Sequence, residues 1–104
     1  MSLMATDRYE HNATGVSYVD KSGSITTGGT AQTLAAANTY RDHMFIGNPN
    51  ASGSLWVNDL GGTAAANGAG STEIPPGEVA QTRSRSAISI IHATTSAKFT
   101  AGEA

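Results

Sequence analysis

The sequence predicts an all-β fold, an antiparallel β-sandwich or small barrel of about seven or eight short strands. Three observations carry that expectation. Short runs rich in β-branched and aromatic residues recur, separated by Gly, Pro, Asn and Ser clusters at roughly the 8–12-residue spacing of such folds. The one helix-friendly run, residues 34–38, is too short to stand alone and is allowed a helical turn at most. A chain of 104 residues without cysteine suits one small domain held by packing rather than by disulfides.

The elements follow in order. Residues 1–3 read as an added leader before a second candidate initiator, Met4. Residues 1–15 together are expected to form leader and loose N-terminal arm, ahead of a single β domain over residues 16–104. Residues 16–19 make a short strand stopped by Asp20-Lys21-Ser22-Gly23, and residues 24–27 another that ends at Gly28-Gly29. The stretch 29–34 continues the sheet. Residues 43–47 and 54–58 are the clearest strands, and Asn48-Pro49-Asn50-Ala51-Ser52-Gly53 between them is rich enough in turn formers to predict a hairpin. In that hairpin Phe45 faces Trp56, while Met44, Ile46, Leu55 and Val57 share the opposite face. Residues 60–70 are a Gly/Ala-rich connection. Strands at 71–74, 78–82, 87–94 and 97–100 complete the domain, with Pro75-Pro76-Gly77 as the turn between the first two.

Composition narrows the function. Ala, Gly, Ser and Thr supply about half the chain, and charged residues only 13%. Large aliphatic side chains are scarce, so the core is small and the weakly charged surface is easily desolvated against a neighbour. Composition leaves two expectations open, a domain that gains stability from assembly and a modestly stable monomer. The formal charge of −2 argues against nucleic-acid binding through phosphate neutralisation. No run reaches the length of a membrane span, and no charged start leads into an apolar segment, so neither membrane insertion nor a signal peptide is expected.

Few residues advertise chemistry. His11, His43 and His92 show no ligand spacing, and no metal or cofactor site is expected. Asp42 and His43 invite a dyad, but adjacent strand residues point to opposite faces, and no nucleophile elbow accompanies them. Glu73 and Glu78 flank a turn, where solvated carboxylates are the ordinary case. The Gly68–Thr72 stretch lacks the lysine of a phosphate loop. Sequons at Asn12 and Asn50 mark exposed polar loops. An enzyme is not expected. The feature singled out is the Phe45 and Trp56 face, which is either the second side of a sandwich core or an aromatic platform for a partner subunit or a ligand, with Asn58 and Asp59 beside it; Arg41, Arg83 and Arg85 are lesser interface candidates.

One resemblance bears on function. Gly28-Gly29-Thr30-Ala31-Gln32-Thr33-Leu34, Phe45-Ile46-Gly47-Asn48-Pro49, Leu55-Trp56-Val57-Asn58, Ser71-Thr72-Glu73-Ile74-Pro75-Pro76-Gly77-Glu78, Ala87-Ile88-Ser89-Ile90 and Phe99-Thr100-Ala101-Gly102-Glu103 follow one another in this order. The succession, over residues 25–103, resembles the small all-β virion proteins of tailed phages and prophages, minor structural or decoration components. The resemblance implies a non-enzymatic particle component made in the bacterial cytoplasm, which associates with itself, a trimer being slightly preferred, and with other virion proteins. It brings no catalytic motif. The alternative is a carbohydrate-binding module that stacks a glycan on Trp56.

Overall fold

The computed structural model describes residues 17–104, so the whole of the expected leader and arm, with His11 and the Asn12 sequon, lies outside the described residues. These form an all-β sandwich of nine short strands: β1 Val19–Asp20, β2 Gly23–Ser24, β3 Gln32–Ala35, β4 Met44–Gly47, β5 Leu55–Asn58, β6 Ser71–Ile74, β7 Val79–Thr82, β8 Ile88–Ile91 and β9 Lys98–Glu103. One sheet has the order β1-β9-β4-β7, with β2 also paired to β9, and the other β3-β8-β5-β6. All ladders are antiparallel.

Alternation along each strand fills the space between the sheets. Met44 and Ile46 point inward from β4, Leu55 and Val57 from β5, Ile88 and Ile90 from β8, and Phe99 and Ala101 from β9, joining Ile25, Leu34 and Ile74 in one buried cluster. Each fully buried aliphatic side chain contributes about 1.5–3 kcal/mol relative to exposure.

The expected β4–β5 hairpin does not form. β4 pairs with β7 and β9, whereas β5 pairs with β6 and β8 in the other sheet. The segment 48–53 therefore crosses the sandwich, and Asn48, 2% exposed, holds the crossing. Its Nδ2 donates to the carbonyls of Gly53 and Ile74, both at 2.9 Å, and its Oδ1 accepts from the Asn50 N–H at 3.1 Å. Asn50 in turn brackets Lys98 of β9, donating to its carbonyl at 2.8 Å and accepting from its N–H at 3.0 Å. The turn formers are real, but they span two sheets instead of closing one ladder.

Residues 34–38 contain no helical turn. Leu34 and Ala35 end strand β3, where a bulge between Thr33 and Ala35 lets two successive residues face the core. At the end of the sandwich away from Asn48, Arg41 is 0% exposed. Its Nε donates to Glu103 Oε2 at 2.6 Å, and its terminal nitrogens donate to the carbonyls of Ser84, Ser86 and Ala36 at 2.6, 2.9 and 2.7 Å. These partners come from both sheets and the link between β7 and β8, so Arg41 and Asn48 clasp the sandwich at its two ends.

Candidate functional site

Moving β4 and β5 into different sheets separates the two aromatic residues expected to form one platform. Phe45 lies on the outer face of the five-stranded sheet, and Trp56 on the outer face of the four-stranded sheet. Both are half-buried.

The Trp56 face is shaped by its own neighbours. Across the strands Trp56 stands beside Glu73 of β6 and Ile91 of β8. The connection 59–70 folds back over one end of this face. Asn58 Oδ1 accepts from the N–H groups of Leu60 and Gly62 at 2.9 and 3.3 Å, Ser89 Oγ accepts from Ala64 N–H at 2.9 Å, and Ser71 Oγ from Ala65 N–H at 3.1 Å. The loop stops short of Trp56 and leaves a groove of about 370 Å³, walled by Trp56, Ile91, Ala65, Ala66 and Ser54. Its polar edge is Ser54, which donates to Glu73 Oε2 at 2.6 Å.

The Phe45 face is closed by the chain itself. The ring lies over Gly102, where an added Cβ would come within 2.3 Å of Phe45 Cε2. Tyr18 packs edge-on against it with ring centroids 5.6 Å apart, and also against His43 at 5.2 Å. Tyr18 Oη is hydrogen-bonded to His43 Nε2, and His43 Nδ1 lies 3.2 Å from Asp42 Oδ2. Asp42 is further approached by Arg83 at 3.3 Å. The hydrogen bond from His43, reinforced by the positive charge of Arg83, holds the Asp42 carboxyl below the ordinary carboxylate range. Asp42 and His43 thus do meet, contrary to the alternation argument, because β4 begins only at Met44 and the pair precedes the strand. Tyr18, 25 residues away from His43, is the member that no spacing in the sequence announces.

The remaining expected site residues are divided. Arg41 cannot face a partner, since the whole side chain is enclosed and its hydrogen bonds are spent inside the fold. Asn58 is buried beneath Gly62 and Gly70 and is occupied by its loop. Asp59 accepts from the Thr82 hydroxyl at 2.7 Å. Neither is available to a ligand lying on Trp56. Arg83 is exposed. Arg85 is also exposed, and its Nε donates to the Arg41 carbonyl at 2.9 Å.

His92, which follows β8, is buried at 2% exposure. Its Nδ1 accepts from the Thr94 N–H at 3.0 Å, so in the neutral ring the proton sits on Nε2, which has no hydrogen-bond partner among the described residues. A donor left in that state costs about 1–3 kcal/mol. Among the described residues no group of three or more His, Cys, Asp or Glu side chains is placed to hold a metal ion. No helix among them is long and apolar enough to cross a membrane. Comparison with protein families, characterised proteins and solved structures gives no match.

Proposed function

We propose that this chain is a non-enzymatic structural or decoration component of a tailed-phage or prophage particle, self-associating through its β-sheet surface. The observation that carries the reading is the open groove beside Trp56. A small domain with a thin core leaves its one tryptophan and Ile91 side by side on a sheet face that its own loop only partly covers. Aromatic side chains in such positions anchor protein interfaces, where a few central residues supply most of the affinity. The resemblance to virion proteins over residues 25–103 supplies the context: a particle component made in the bacterial cytoplasm, with other virion proteins as further partners.

The test is the solution mass by light scattering over a wide concentration range. The wild-type chain is expected to associate, and Trp56→Ala to associate more weakly with an unchanged circular-dichroism spectrum. A variant of the same mass as wild type would remove Trp56 from the interface.

A carbohydrate-binding reading also draws on the concavity of the groove, because an aromatic floor with a Ser54–Glu73 edge is the chemistry that stacks and orients a sugar ring. It rests on Ser54 and Glu73 rather than Asn58 and Asp59, which are engaged inside the fold. Glycan-array binding that disappears in Trp56→Ala would favour it over self-association.

A further inference from the structure

The edges of the two sheets are unequal. β1 and β2 are two residues each, and β1 carries Asp20. β3 is broken by its bulge, and the Gln32 side chain bridges it to Thr26 and Ser24. β6 carries Glu73. β7, with the sequence Val-Ala-Gln-Thr, is regular against β4 and has no charge, proline or bulge. It therefore lacks the devices that normally blunt a sheet edge.

Which backbone groups of β7 face outward follows from the ladder. His43 exchanges hydrogen bonds with Ala104 on the β9 side of β4, and the pattern alternates, so Phe45 and Gly47 also turn to β9. Met44, Ile46 and Asn48 then turn to β7, as the bond from Asn48 N–H to the Glu78 carbonyl shows. Their register partners Ala80 and Thr82 point into the ladder. Val79 and Gln81 consequently present their N–H and C=O groups outward, four in all, with no partner among the described residues.

We propose that a second copy of the chain pairs with this edge, β7 antiparallel to β7 about a two-fold axis at Ala80. This arrangement extends the self-association reading to a surface separate from Trp56. In the pairing Val79 lies opposite Gln81 of the other copy, and the four outward groups of each strand form four hydrogen bonds between the copies. Ala80 meets its own symmetry mate at the close, non-hydrogen-bonded position, where a small side chain fits. Charge selects the same arrangement. Exposed Glu78 precedes the strand, and exposed Arg83, which also lies 3.3 Å from Asp42 of its own chain, follows it, so antiparallel pairing sets Glu78 of one copy beside Arg83 of the other, twice. Parallel pairing would set like beside like. An edge that is uncharged along its length and oppositely charged at its two ends is complementary to itself, as an isologous contact requires.

The test uses the full chain and sedimentation or light scattering. Wild type is expected in even multiples of the chain mass. Gln81→Pro removes an outward N–H while leaving the ladder to β4 intact, and is expected to weaken the pairing roughly tenfold or more, two hydrogen bonds being lost per dimer. Glu78→Arg sets like charges together at both ends and is expected to dissociate the pair. Adding Arg83→Glu, in a chain that also carries Asp42→Asn so that the new carboxylate meets no like charge of its own chain, restores opposite charges and is expected to restore the mass, a recovery that a folding defect would not produce. Unchanged mass in folded Gln81→Pro, failure of the double charge swap to recover, or a three-chain wild-type mass would overturn the edge pairing. If Trp56→Ala alone yields monomer, the edge falls while self-association through the tryptophan face stands. A wild-type monomer at every concentration removes both.

Discussion

Strands β4 and β5 are built alike: Met-Phe-Ile-Gly and Leu-Trp-Val-Asn, each with two aliphatic residues facing the core and one aromatic facing out. Their surroundings diverge. On the five-stranded sheet the chain closes over its aromatic, with Gly102 beneath Phe45 and Tyr18 against its edge. On the four-stranded sheet the covering loop is pinned at Asn58 and stops before Trp56. The same local pattern thus yields a second layer of internal packing on one side and an open groove on the other. An outward aromatic is informative about partners only after its own chain has been given the chance to cover it.

The largest effect that would break this contrast is at Arg41. Arg41→Ala leaves buried Glu103 with only Lys21, 3.8 Å away, and three carbonyls without the guanidinium's donors, an expected loss of about 3 kcal/mol in chemical denaturation. Because Glu103 lies on β9 next to Gly102, hydrogen-exchange protection should fall first on the Phe45 side. Little change in the denaturation midpoint would show that the clasp does not hold that side shut. Gly102→Ala comes next. The added methyl must displace the Phe45 ring, and an expected cost of about 1–3 kcal/mol should appear in thermal unfolding. Trp56→Ala sharpens the comparison from the other side. It should change stability by less than about 1 kcal/mol while weakening association, and a larger loss would mean that Trp56 is packed into its own chain as firmly as Phe45.

The smallest effect concerns acid. The Asp42 carboxyl is held below its usual range by His43 and Arg83, so it favours the folded state above the unfolded carboxylate pKa, and that contribution disappears as pH falls through the folded value. Asp42→Asn should therefore flatten the stability profile slightly below about pH 4. An unchanged acid limb would show that the Tyr18–His43–Asp42 chain adds nothing at that pH.

Much of the fold was legible because period-two alternation fixes which side chains are buried. Met44, Ile46, Leu55 and Val57 were assigned to one face, and all four lie in the core. Which strands pair was not legible. A strand apolar on both faces fits equally well beside a partner in one sheet or across the core from it, and a six-residue segment rich in turn formers can close a turn or span the roughly 10 Å between sheets. The sheet expected over residues 29–34 is present as β3, but its end is obscured by the bulge, which buries Leu34 and Ala35 in succession and breaks alternation. Arg41 was misplaced for a different reason. An arginine is ordinarily a surface residue, and the glutamate that permits its burial stands 62 positions away. The groove beside Trp56 depends on where a loop stops, which no residue pattern specifies.

The crossing at Asn48 also governs the order in which the domain can form. Because β4 does not pair with β5, its ladders wait for β7 and β9, and both β1 and β2 also depend on β9, the latest strand in chain order. β5 and β6 can zip together early, but the five-stranded sheet has no central partner until Lys98–Glu103 has been synthesised. Such distant pairings carry a large loop-closure entropy before any contact repays it, which places folding on the millisecond-to-second scale of other non-local β proteins. During synthesis, β4 lacks its full ladder until β9 arrives.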